Sequence, residues 1–194
     1  MGLGLRIRLS AMMFLEFFVW GAWYSVLSIY LQKSPAEGGL GLDATQNGTI
    51  YGLLAFASIF MPLIAGQFTD RWMPSQIFLG IAHLVGAGGL ILAARSTSYG
   101  AMYVGILTWA VTFAPTLSLV NTLSFSHLKD PERDFGPIRV FGTLRWIAAG
   151  MLLLGVRSAL ADPQNSWHAR VMPLWELLGR PTGNDCLYLG AAAA

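Results

Sequence analysis

Five runs of about 20 or more mostly apolar residues follow one another along this chain, separated by short polar stretches. A hydrocarbon core about 30 Å thick takes about 20 helical residues to cross. Inside it, only helices and closed barrels satisfy their own backbone polar groups. The runs cover residues 9–31, 46–68, 75–94, 99–126 and 138–160, and a sixth starts at Leu187 and reaches Ala194. They predict an all-α integral membrane chain. The short connections make successive helices antiparallel neighbours. Composition agrees: 55% of the 194 residues are hydrophobic and 11% are charged, where a soluble domain carries roughly a quarter charged residues. The lipid bilayer is therefore the solvent for most of this chain.

Arg6 and Arg8 precede the first run, but the run is too long for a signal segment and holds Glu16, so it reads as a retained helix. These two cations, with Arg71, Lys129 and Arg133, stand level with Lys33, Arg95, Arg157, Arg170 and Arg180 on the other side, and discounting the long fifth loop leaves a modest excess that puts the N-terminus in the cytoplasm. The sixth run holds only about eight residues where a span needs about 20, which predicts the N-terminal part of a longer chain. With 12 Lys+Arg against 10 Asp+Glu there is no concentrated basic face for nucleic acid. The single Cys186 allows no internal disulfide and no cysteine metal cluster. Neither a His/Glu metal spacing nor a Gly-x-Ser-x-Gly elbow is present, so no metal, cofactor or enzyme chemistry is expected.

Charges and polar groups inside a span are costly and mark function by default. Glu16 shares a helical face with Trp20 and Trp23, at i+4 and i+7. That face suits a carboxylate lining an aromatic-walled cavity for proton-linked or substrate-site work, with Trp20 and Trp23 as candidate substrate contacts, or else a structural carboxyl, protonated or paired with a neighbour. His83 in the third run is either a proton shuttle or a hydrogen-bonded structural residue. In the fourth run Pro115 and Thr116 precede a face of Ser118, Asn121 and Thr122, and Asn121 can donate and accept toward a polar solute. Interhelical hydrogen bonding explains that face equally well. In the fifth run Arg139, Thr143 and Trp146 fall on one stripe, able to hold and stack on a planar polar solute. An arginine snorkelling to the helix end, with Trp146 in the packing, fits the same spacing. Arg145 lies about 240° round from Arg139 and cannot share the stripe.

Several of these segments carry a resemblance. Gly66-x-x-x-Asp70-Arg71 between the second and third helices resembles the loop motif of the major facilitator superfamily. Phe14 to Trp23 (FLEFFVWGAW), Ala114-Pro115-Thr116-Leu117 with Asn121-Thr122, and Gly136 to Thr143 (GPIRVFGT) are together similar to the nucleoside:proton symporter family within it. The resemblance implies a major-facilitator-like N-terminal six-helix bundle, truncated in the sixth helix, from a two-half transporter that rocks to give alternating access. It implies a nucleoside substrate carried with a proton, a multi-pass protein and a bacterial inner membrane. On this half it assigns nucleoside contacts to Arg139 and Thr143, an aromatic on the base to Trp146, and gating to Gly66, Asp70 and Arg71. Another small polar solute such as a sugar, or a non-transporting membrane fragment, is the alternative.

Overall fold

The computed structural model describes residues 3–128, 131–162 and 184–194 and the single positions 170, 172, 173 and 176, with the side chains at 131–133, 137–138, 141–143, 145–146 and 160 not among those described. All regular structure among the described residues is helical. In chain order the helices are α1 (Leu3–Tyr24), α2 (Leu27–Gln32), α3 (Ala44–Arg71), α4 (Ser75–Ala94), α5 (Tyr99–His127), α6 (Pro131–Ala161) and α7 (Asp185–Ala193). Four helical stretches are long and apolar enough to cross a membrane by length and composition: Leu3–Gln32, which joins α1 and α2, then α3, α4 and α5. Helix α6 has 31 residues, but its apolar stretch among the described residues is the shorter Ile147–Ala159.

Local chemistry sets the ends. Asp43 caps α3 reciprocally: its side chain accepts from the Gln46 N–H at 2.8 Å, and the Gln46 side chain accepts from the Asp43 N–H at 3.3 Å. The Ser98 hydroxyl accepts from the Ala101 N–H at the start of α5. Pro131 opens α6, where a missing N–H costs nothing. The turn between α2 and α3 holds Gly38 and Gly41 at φ 82° and 63°, a left-handed backbone that suits glycine.

The first span differs from the single helix expected over 9–31. It begins at Leu3 and is broken at Ser25 and Val26. Tyr51 of α3 splices the break. Its hydroxyl donates to the Tyr24 carbonyl at 2.7 Å and accepts from the Ser28 N–H at 2.9 Å. A break inside lipid is tolerated when a neighbour satisfies the freed backbone groups, and Tyr51 does so from both sides. The Asn47 amide donates to the Ser28 hydroxyl at 2.9 Å and ties the same point to α3.

Helix α5 is the central element, packed on α3 and α4, while α1 packs on α6 and α7 and α4 also meets α7. The α4–α5 contact is set by glycines. A Cβ on Gly89 would lie 2.7 Å from the Gly105 carbonyl oxygen and 2.9 Å from the Trp109 nitrogen; one on Gly105 would lie 2.7 Å from the Ala93 nitrogen. Small residues let backbones approach, which is how helices associate where lipid removes the hydrophobic drive. At α7, Gly190 seats against the Trp23 ring and the Val19 carbonyl. The end of α6 is pinned to the start of α7 by a two-pronged ion pair: Arg157 Nε and Nη2 donate to Asp185 at 2.8 and 2.6 Å. The outward faces of α3 and α4 carry Phe56, Ile59, Leu63, Ile64, Ile77 and Leu84, all more than half exposed, as lipid-facing helices require.

Gly89→Val and Gly105→Val are expected to lower stability by about 1–3 kcal/mol through overpacking. Gly88→Ala, where an added Cβ meets nothing within 4 Å, leaves it unchanged; thermal unfolding in detergent reads all three. Tyr51→Phe removes the splice and costs about 1–3 kcal/mol in the same assay, because two backbone groups lose their partner.

Candidate functional site

The face predicted for Glu16, Trp20 and Trp23 points into the bundle, toward α4 and α5. Glu16 is 2% exposed and Trp23 is 1% exposed, whereas Trp20 is half-buried. Thirteen residues into α1, Glu16 lies about 20 Å along the helix from Leu3, near mid-depth in a span. The Thr116 hydroxyl of α5 is 2.6 Å from Glu16 Oε1. His83 Nε2 of α4 is 3.0 Å from Glu16 Oε2. One carboxyl thus joins three helices.

An aromatic wall continues from this cluster. The Trp23 ring meets Trp109 edge-on at 4.7 Å between centroids, and Trp109 stacks on Phe113 at 4.5 Å. Trp20 packs on Phe113 at 6.3 Å and on Tyr24 at 5.4 Å. Phe113 also meets the edge of the His83 ring at 6.3 Å, fixing the imidazole beside Glu16. A cavity of about 300 Å³ borders the cluster, lined by Met12, Glu16, Leu79, Gly80, His83 and Val120 among others. His83 keeps 19% of its side chain exposed and Glu16 keeps 1%, so the imidazole is the more accessible of the two.

The other expected residues lie elsewhere. Asn121 donates to the Leu117 carbonyl at 2.8 Å, and Ser118 and Thr122 likewise bond carbonyls of their own helix. On α6, Arg139 is exposed, with its guanidinium carbon 6.0 Å from the Phe135 ring centroid. Thr143 and Trp146 follow on the same helix, but their side chains, like that of Arg145, lie outside the described residues. Gly66, Asp70 and Arg71 fall within the last two turns of α3 rather than in a free loop, because the helix continues to Arg71. Gly66 does not serve close approach here, since an added Cβ would meet nothing within 4 Å. Asp70 does not cap α4, whose N-cap is Pro74 without a side-chain bond.

The pairing of Glu16 with His83 was not visible in the sequence. They stand 67 residues apart, and no periodicity links them. The only signal was that two isolated ionisable groups at membrane depth each need a partner. The Arg157–Asp185 pair was not visible either: Arg157 lies near the end of the fifth run and Asp185 just before the sixth, 28 residues apart.

An all-helical bundle with membrane-length helices and ionisable groups in its interior has the architecture of one half of a major-facilitator transporter. The family model described as nucleoside H+ symporter matches residues 3–170. The chain belongs to the nucleoside H+ symporter family, and it is a multi-pass membrane protein. It is 34% identical over 151 residues to the nucleoside permease NupG of Escherichia coli (strain K12), covering 76% of this chain and 35% of the permease. It is 36% identical over 151 residues to the xanthosine permease of the same strain, with the same coverage. A crystal structure of nucleoside transporter NupG matches with a TM-score of 0.74 at 31% identity, covering 97% of this chain and 41% of the other. The chain spans about a third of the length of the curated relatives it matches.

Glu16→Ala is expected to lower stability in detergent by about 1–3 kcal/mol, because Thr116 and His83 lose a buried partner. Glu16→Gln keeps an acceptor for Thr116 and costs less; thermal unfolding distinguishes the two.

Proposed function

We propose that this chain supplies the N-terminal half of a proton-coupled nucleoside transporter of a bacterial inner membrane, working by transport and not by catalysis. The observation that carries the reading is the family match over residues 3–170, joined to a structural match that spans 97% of the chain. In this reading the solute binds between this half and a second, C-terminal half, and rocking of the halves gives alternating access.

On this half the solute stripe is Arg139, Thr143 and Trp146, at spacings of four and three residues along α6. The exposure of Arg139 supports its part, since a contact to a solute held between halves must face out of the bundle. Its guanidinium offers fixed donors to carbonyl or hydroxyl oxygens. Thr143 can donate and accept, and Trp146 offers a flat surface to a base. Trp20, Trp23 and Asn121 are secondary candidates, and Gly66, Asp70 and Arg71 are assigned to gating. Glu16 is the proton-coupling candidate.

In the two-half protein, Arg139→Ala and Thr143→Ala are expected to weaken nucleoside binding by roughly ten- to a hundredfold. Ser10→Ala, outside the stripe, binds as the parent does. Calorimetry against a nucleoside and against a disaccharide measures this. Unchanged affinity in both variants would make the stripe a packing feature, and preference for the disaccharide would favour a sugar as solute.

A further inference from the structure

We infer that Glu16, His83 and Thr116 form a single proton-binding site inside the bundle, with His83 as its point of exchange. Its place in a transport cycle rests on the reading above; the binding of the proton rests on the three side chains themselves.

The argument starts from the number of protons on a hydroxyl, which is one. Thr116 Oγ1 lies 2.6 Å from Glu16 Oε1 and also 2.6 Å from the Phe113 carbonyl oxygen. Two full two-centre hydrogen bonds form at once when Glu16 is protonated; otherwise the one proton is shared or turned to a single acceptor. In the protonated form the carboxyl O–H donates to Thr116 Oγ1, and the hydroxyl donates to the Phe113 carbonyl. When Glu16 is ionised, the hydroxyl turns to donate to the carboxylate. The Phe113 carbonyl then keeps the helical N–H of Leu117, four residues on within α5. Neither protonation state leaves a buried group without a partner, which is what reversible proton uptake demands of a site in lipid.

His83 completes the site on the second oxygen. At 3.0 Å its Nε2–H donates to Glu16 Oε2, whether Glu16 is protonated on Oε1 or ionised. The one-proton state is neutral overall whether the proton sits on Glu16 or on His83. Only its loss leaves a net charge in the interior. Exchange with the outside runs through the imidazole: both residues border the 300 Å³ cavity, but His83 keeps 19% of its side chain exposed and Glu16 only 1%.

The surroundings isolate this pair. Helix α4 contributes His83 alone, and α5 has no ionisable side chain between Tyr103 and His127. On α1 the other charged residues are Arg6 and Arg8, two turns or more away. Helix α7 reaches the cavity with Ala193 and Ala194, and its carboxylate Asp185 is held by Arg157. That ion pair sits beside Asn184, which bonds the Ala94 carbonyl eleven residues along α4 from His83. On α6 the described ionisable side chains are Asp134, Arg139 and Arg157, while α6 meets α1 through Ala149 against Phe18 and Ala22.

The test is infrared spectroscopy of the membrane-inserted chain labelled with 13C-glutamate, recorded as the pH is varied. A protonated-carboxyl stretch should fade as the pH rises. It should be absent in Glu16→Gln, and in His83→Gln its midpoint should move by about one pH unit or more. Identical pH-dependent spectra for the parent and Glu16→Gln overturn the proposal. A midpoint that ignores His83→Gln overturns the role of the imidazole. If Glu16→Gln does not insert, Glu16→Asp must remove the band from glutamate-labelled protein, and persistence of the band overturns the proposal. No nucleoside is present in this measurement. A two-half protein that shows the band yet binds no nucleoside by calorimetry therefore refutes the transport reading alone, and nucleoside binding by it without the band refutes only the proton site.

Discussion

A polar group inside hydrocarbon has no water to bond, so each one must find its partner within the protein. The fold depends on how this chain meets that demand at three places. Tyr51 serves the backbone where the first span breaks. Thr116 and His83 serve Glu16. Arg157 serves Asp185 at the junction of α6 and α7. In every case the partners come from different helices, so satisfying a polar group also fixes how two or three helices stand against each other.

The glycine contact between α4 and α5 works alongside these bonds. Close approach of two backbones at Gly89 and Gly105 leaves almost no room for sliding. It therefore holds His83 and Thr116 at a set separation, one on each helix. Glu16 then enters from α1 between two partners that are already placed. Helix α6 stands apart: it meets α1 through small residues such as Ala149, and its Arg139 turns outward. The interior of the bundle and its outward stripe are thus built on different helices, with α1 touching both.

The helices were legible because span length and apolar content leave few alternatives in lipid; the bounds of α4 follow directly from the run between Pro74 and Arg95. The break in the first span was not legible, because Ser25 and Val26 carry no breaker signal and the splice comes from a residue in the next helix. Glu16 and His83 each drew notice as ionisable groups at depth, but a pair 67 residues apart is a property of packing and not of local pattern. The Gly66 motif shows the converse. Its residues were named from resemblance, while their surroundings, an open side at Gly66 and a helix running on to Arg71, depend on where α3 ends.

The splice at Tyr51 carries a consequence for biosynthesis. The carbonyl of Tyr24 takes its bond from a side chain 27 residues further along, and the Ser28 hydroxyl takes one from Asn47. The outer end of the first helix cannot be fully dry until the second has entered the bilayer beside it. Packing of Leu3–Gln32 against α3 therefore completes the first span, the tip of the first helix being finished by the second.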